Sequence, residues 1–131
     1  MELVVIVIML ALLEYIVLVM RVGSARVKTG IEAPAVTGNE EFERHFRVQY
    51  NTIEQLIVFI PGVWFFAEYI HVLSAFGLGL VFIFGRGLYA VNYVKDPASR
   101  SVGMILTALP CYVLVIGALG GAVWAAIVAG G

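Results

Sequence analysis

Four long apolar stretches constrain the fold of this chain more than any other feature. They cover about residues 3–20, 53–70, 73–91 and 102–128. A helix needs about 20 apolar residues to cross a membrane, and these stretches are continuously apolar, whereas barrel strands alternate. Only 13% of the residues are charged, while soluble domains carry about 25%. The sequence therefore predicts an all-α membrane protein, with one domain over residues 1–131 built as a four-transmembrane-helix bundle.

Lys and Arg gather in two segments, one after the first apolar stretch and one around the end of the third. They are Arg21, Arg26, Lys28, Arg44 and Arg47 in the first segment, and Arg86, Lys95 and Arg100 in the second. Positive charge collects on the cytoplasmic side of membrane proteins, so both segments are predicted to face the cytoplasm. This predicts a multi-pass protein of the inner membrane in a bacterium, or of the endoplasmic reticulum in a eukaryote. The net charge of −1 gives no support to a nucleic-acid partner.

The segment before the second apolar stretch carries a helix start and a polar stripe. Thr37 and Asn39 are candidate N-caps followed by acidic residues, which predicts a helix that begins near residue 40 and projects into the cytoplasm. Four polar residues of this helix recur at i, i+4, i+8 and i+11, namely Glu43, Arg47, Asn51 and Glu54. This spacing places them on one face. Such a stripe either binds a ligand with several charges or joins helices within the membrane.

A second polar set lies at the end of the third apolar stretch. Arg86, Tyr89 and Tyr93 recur at i, i+3 and i+7, again on one face of a helix. Arg86 lies about two turns inside Tyr93, and a charge at the centre of a span costs about 2.5–3.5 kcal/mol. It therefore needs a partner, and Glu14 or Glu54 is expected at a comparable depth.

A longer pattern runs through the second helix and reads Gly38-x-x-x-Phe42-Glu43-Arg44-x-Phe46-Arg47-x-Gln49-x-Asn51-x-x-Glu54, followed by Phe59-x-x-x-x-Trp64. This pattern resembles the signature of the MAPEG superfamily, the membrane-associated proteins of eicosanoid and glutathione metabolism. Two further motifs are similar to that family's, namely Ser24-Ala25-Arg26 and Gly85-Arg86-x-x-Tyr89-x-x-x-Tyr93 with the later Arg100. The resemblance covers nearly the whole chain in the same order.

The resemblance implies a four-helix membrane protein assembled as a homotrimer, with glutathione bound as co-substrate between neighbouring subunits near the cytoplasmic face. The glutathione-contacting positions that it implies are Arg26, Arg47, Gln49, Asn51, Glu54, Tyr89, Tyr93 and Arg100. It further implies that Arg100 stabilises the thiolate, with Arg26 as the rival candidate. Val27 and Gln55 depart from the leukotriene-forming members, so the chain is more similar to a bacterial or general microsomal-type member.

These residue types suit the chemistry of glutathione. Arginines can bind its carboxylates bidentately, and Glu54 can meet its ammonium group. A free thiol has a pKa of about 8.5, and a nearby arginine lowers that pKa by favouring the anion. The resemblance therefore predicts a glutathione S-transferase, with possible peroxidase activity, acting on lipophilic electrophiles or lipid hydroperoxides dissolved in membrane lipid. His45 and His71 lack partners at metal-ligand spacing, so no metal is expected.

Two other classes of function remain open at this point. The same family includes a lipid-binding scaffold without catalytic activity, which the full set of polar ligand positions argues against. A small proton-coupled multidrug transporter is the other alternative, with Glu14 as its lone acid in the first span. The buried cation Arg86 argues against the transporter, because that mechanism needs an acid without a nearby cation.

Overall fold

The computed structural model describes residues 1–130 of the protein. These residues form α1 (Glu2–Thr29), α2 (Glu40–Tyr69), α3 (Val72–Lys95) and α4 (Ser101–Gly130), with a short 3-10 helix (Pro97–Ser99) between α3 and α4. The prediction of an all-helical fold is confirmed. Within this range, α1, α3 and α4 are long and apolar enough to cross a membrane. α2 was also predicted to span, but it is not among them, because Glu54, Gln55 and Glu68 interrupt its apolar residues.

α2 and α3 are the central helices of the bundle. Each contacts the other, and both contact α1 and α4. Phe59 of α2 and Phe82 of α3 stack in the main core with their ring centroids 4.0 Å apart, and both side chains are fully buried. Lipid is as apolar as these rings, so close packing rather than exclusion of water stabilises such contacts in a membrane. Residues at the α2–α3 contact therefore lie between the two helices that each contact all three of the others.

Asn39 begins α2. Its side-chain Oδ1 accepts a hydrogen bond of 3.0 Å from the backbone N–H of Phe42. Glu43 completes the turn by accepting from the backbone N–H of Gly38 at 3.2 Å. Of the two candidate caps, the structure therefore uses Asn39 and not Thr37. The 30 residues of α2 extend about 45 Å at 1.5 Å per residue, which exceeds a hydrocarbon layer of about 30 Å.

Arg44 joins the first turns of α2 to the end of α3. Its Nη1 donates to the carbonyl oxygens of Val94 and Lys95, at 3.1 and 3.3 Å. Carbonyls in the last turn of a helix have no partner within the helix, so the guanidinium satisfies two groups that need a donor. Nη2 of Arg44 also pairs with Glu40, one turn earlier. The segment that follows α3 is thereby held next to α2.

Gly103 lets α4 approach α3 closely at Tyr89. A Cβ atom at position 103 would lie 2.5 Å from the backbone nitrogen of Tyr89 and 2.6 Å from its Cα. Gly85 makes a similar approach, since a Cβ there would lie 2.6 Å from Cβ of Leu106. Small residues at helix contacts allow backbones to meet in membrane proteins. These two glycines let α3 and α4 pack closely next to Tyr89.

Candidate functional site

The polar residues of α2 lie on two different sides of the helix. Successive residues turn by about 100°, so residues two apart point about 160° away from each other. Asn51 contacts α3, and we call this face of α2, together with the α3 residues that pack against it, the α3 side. Gln49 contacts α1, and we call that face, together with the α1 residues that pack against it, the α1 side. The residues expected to contact glutathione are thus divided within one chain.

Arg86 is the centre of the α3 side. Its side chain is fully buried, and Nη1 donates to Oδ1 of Asn51 at 2.8 Å. The guanidinium carbon lies 4.3 Å from the ring centroid of Tyr89. The rings of Tyr89 and Tyr93 stack with centroids 5.5 Å apart. The structure therefore brings three of the expected ligand residues together around one buried cation.

The partner of Arg86 differs from the expectation of a carboxylate. Among residues 1–130, neither Glu14 nor Glu54 makes a salt bridge with it. Glu54 is exposed, while Oε1 of Glu14 and both Nε and Nη2 of Arg86 are buried without a hydrogen bond in the described part of the chain. Asn51 is one turn before Glu54 and presents its amide oxygen to the guanidinium instead. Sequence analysis missed this pair, although Asn51 and Arg86 each carry the right donor or acceptor for it.

Arg47 and Glu54 occupy the outer part of the α3 side. Both side chains are exposed. Arg47 lines a cavity of about 300 Å³ with Phe46, Tyr50 and Thr37, next to the segment that precedes α2. A cation and a carboxylate at the two ends of one exposed stripe can meet opposite charges on the same ligand.

Gln49 and Arg26 belong to the α1 side. Nε2 of Gln49 donates to the hydroxyl of Tyr15 in α1 at 2.6 Å. Nη1 of Arg26 donates to the carbonyl oxygen of Ala35 at 2.8 Å, and its guanidinium carbon lies 4.7 Å from the ring centroid of Phe42. These two expected ligand residues are therefore held where α1 meets α2. Neither of them contacts Arg86.

Arg100 lies beyond the end of α3, after the short 3-10 helix. Its Nη1 donates to the carbonyl oxygen of Pro97 at 2.9 Å, and the side chain is exposed. Asp96 begins the 3-10 turn by accepting a hydrogen bond of 3.1 Å from the N–H of Ala98. Since Arg44 holds the end of α3 against α2, the guanidinium of Arg100 is anchored to a fixed segment at the edge of the bundle.

A second charged cluster lies on the α1 side, near the start of α2. Lys28 of α1 pairs with Glu41 at 2.8 Å, and this hydrogen bond is the main cause that lowers the pKa of the Glu41 carboxyl. Burial lowers the pKa of His45, and the charge of Arg21 lowers it further. These four side chains line a shallow cleft of about 150 Å³. The cluster supplies positive charge where α1 leaves its apolar stretch.

An apolar cavity of about 590 Å³ lies between α2 and α4, towards the opposite end of α2. Val58, Gly62 and Phe65 of α2 face Val115 and Leu119 of α4 across it. It contains none of the residues expected to bind a polar ligand. Over residues 1–130, no group of three His, Cys, Asp or Glu side chains is placed to hold a metal ion.

Fold and site together define a four-helix membrane protein with a polar cluster where α2 meets α3. The chain belongs to the MAPEG family, whose model matches residues 4–120. This confirms the resemblance found in the sequence.

Individual relatives agree with that membership. The chain is 50% identical over 115 residues to an uncharacterised protein of Synechocystis sp., and the matched residues cover 88% of this chain and 84% of that protein. It is 40% identical over 102 residues to microsomal glutathione S-transferase 2 of Homo sapiens, covering 77% and 69%. It is 32% identical over 102 residues to leukotriene C4 synthase of Bos taurus, covering 77% and 68%.

Proposed function

We propose that this protein is a membrane-bound glutathione transferase that activates the glutathione thiolate with an arginine for attack on lipophilic electrophiles. One observation carries the proposal. The polar residues of the α3 side lie together around Arg86, in a chain that is 40% identical to human microsomal glutathione S-transferase 2. Glutathione is the co-substrate, and the site faces the cytoplasm because Lys and Arg collect at that end of the helices.

The α3 side binds glutathione through its charged ends. Arg47 binds a carboxylate, because its guanidinium is exposed and can form two parallel hydrogen bonds. Glu54 lies two turns further along the helix and pairs with the ammonium group. Asn51 and the two tyrosines contribute hydrogen-bonding groups between these ends.

Arg100 stabilises the thiolate. Arginine stays protonated at any working pH, so it favours the anion without titrating itself. The thiolate sulfur attacks an electrophilic carbon, a carbon–sulfur bond forms, and the bond to the leaving group breaks. With a lipid hydroperoxide, two glutathione molecules are oxidised to the disulfide while the hydroperoxide is reduced to an alcohol and water. Arg26 is the alternative candidate for stabilising the thiolate. Where Arg100 has that role, Arg26 binds a carboxylate of glutathione.

We further propose a homotrimer of four-span subunits in which each glutathione lies between two neighbours. The division of the expected ligand residues supports this arrangement. Arg26 and Gln49 face α1, whereas Asn51 faces α3 on a different side of α2. A ring of three identical subunits pairs the α1 side of one with the α3 side of the next.

Assay of the detergent-purified protein tests the transferase proposal. Glutathione should be conjugated to model electrophiles, and lipid hydroperoxides should be reduced at glutathione's expense. Arg47→Ala and Glu54→Ala each remove a charge-assisted contact of about 1–3 kcal/mol, so affinity for glutathione should fall about 5- to 150-fold. Thr107→Val, in α4, is the matched control. Binding of glutathione or lipid without turnover would favour the non-catalytic scaffold, and unchanged affinity in both variants would overturn the assigned ligand residues.

A further inference from the structure

Arg86 is buried at a position where an apolar side chain would be easier to accommodate. It is the largest fully buried side chain of the described residues. Its charge lies within a helix that can cross a membrane, where desolvation of a cation is unfavourable. Only one of its three nitrogens has a hydrogen-bond partner within residues 1–130. A group retained under these conditions points to a task in the neighbouring site.

The contact with Asn51 determines which way that amide points. A guanidinium has only donors, so the amide atom facing Arg86 at 2.8 Å has to be the oxygen. The NH₂ group of Asn51 then points away from Arg86. Asn51 is half-buried, so its two N–H donors are available to a ligand on the α3 side. Without Arg86, the amide could turn and present its oxygen there instead.

The contact with Tyr89 extends the same influence to a tyrosine pair. The guanidinium lies 4.3 Å from the ring centroid of Tyr89, a cation–π contact between two buried groups. Tyr89 stacks on Tyr93 at 5.5 Å. Gly103 of α4 packs closely against the backbone of Tyr89. Arg86 therefore contacts a ring whose backbone is held by α4.

We infer that Arg86 is a positioning residue, which directs the Asn51 amide donors and the Tyr89–Tyr93 stack towards the ligand without contacting the ligand itself. The group that it prepares the site to receive is a hydrogen-bond acceptor, a carboxylate or a peptide carbonyl. The identity of that ligand as glutathione rests on the proposed function. The positioning itself is a property of the unliganded protein and can be tested separately.

The first experiment observes the Asn51 amide directly. Protein labelled with ¹⁵N at asparagine gives side-chain NH₂ signals from Asn39, Asn51 and Asn92. In Arg86→Met, the Asn51 signal should move and broaden while the other two stay in place. Arg86→Lys keeps a cationic donor group and should shift the signal less, and this variant decides the question if Arg86→Met does not fold. An unchanged Asn51 signal in both variants would overturn the inference.

The second experiment measures glutathione binding by calorimetry in a double-mutant cycle. Arg86→Met should weaken binding about 5- to 150-fold, through the loss of the ordered amide. Asn51→Leu should weaken it similarly, and the double variant should bind no more weakly than the worse single variant. The titration midpoint of the bound thiol should not change in Arg86→Met. Thr107→Val replaces another buried polar residue and should leave binding unaltered.

The outcomes separate the two proposals. Additive losses in the cycle would mean that Arg86 does not act through the Asn51 amide, and its role in positioning that amide would be wrong. If the parent protein bound no glutathione, the proposed function would fail, while the Asn51 amide signal would still decide whether Arg86 positions that side chain.

Discussion

The two sides of α2 are built in opposite ways. On the α3 side, a fully buried cation makes a hydrogen bond to Asn51 and lies against Tyr89. On the α1 side, Gln49 donates to a half-buried tyrosine hydroxyl, and Arg26 donates to an exposed loop carbonyl. The α3 side is organised by a charge inside the bundle, whereas the α1 side is organised by a hydroxyl of α1 and by a carbonyl of the segment that connects α1 to α2. In the proposed homotrimer, these two sides would form the two halves of each site between neighbouring subunits.

The largest effect is expected on enzyme activity when subunits of two damaged variants are mixed. Arg26→Ala damages only the α1 side, and Arg47→Ala damages only the α3 side, so each variant alone should lose most activity at low glutathione. If each site combines two subunits, trimers reassembled from equal amounts should contain intact sites, about a quarter of the total. Activity of the mixture at low glutathione, compared with the two separate variants, gives the answer. No recovery in a mixture shown by native mass spectrometry to contain both variants would place the whole site in one subunit.

Arg100→Ala should change the pKa of the bound thiol more than it changes the affinity for glutathione. An opposite charge within about 4–6 Å lowers a pKa by about 1–3, so removing it should raise the pKa of the bound thiol by a similar amount. At neutral pH the thiolate fraction and kcat should then fall about 10-fold or more. The ultraviolet absorbance of the bound thiolate, followed against pH, measures this change. A shift in Arg26→Ala and none in Arg100→Ala would reverse the two roles.

Hydropathy and local helix signals predicted most of the fold. Continuous apolar runs identified α1, α3 and α4, and Asn39 with the acidic residues after it predicted the start of α2. The separation of Gln49 from Asn51 also follows from the 100° turn per residue. The partner of Arg86 could not be predicted, because depth along two helices does not give their relative rotation. Asn51 and Glu54 lie at similar depths, and only packing decides which one meets the guanidinium.

Gly103→Ala tests whether the α3 side depends on the contact between α3 and α4. The added Cβ would lie 2.5 Å from a backbone atom of Tyr89, which cannot move as a flexible side chain can. Overpacking of this kind costs about 1–3 kcal/mol, so thermal stability and glutathione affinity should both decrease. Gly120→Ala is the matched control in the same helix, since nothing lies within 4 Å of its added Cβ. Equal behaviour of the two variants in thermal unfolding and glutathione titration would show that this contact does not support the site.

The smallest effect is expected for the pKa of His45, on the α1 side. Burial lowers its pKa, and among the facing charges Arg21 and Lys28 of α1 lower it while Glu41 raises it. Because the folded-state pKa is below the unfolded value of about 6.5, His45 reduces the stability of the fold as pH falls from that value through the folded-state pKa. Arg21→Ala removes a repulsive charge, so the pKa of His45 should rise, and Lys95→Ala at the end of α3 should leave it unchanged. NMR titration of the His45 ring protons, assigned with His45→Ala, measures both variants. An unchanged or lower pKa of His45 in Arg21→Ala would mean that Arg21 does not face His45, and the α1 side would then lack the positive cluster that distinguishes it from the α3 side.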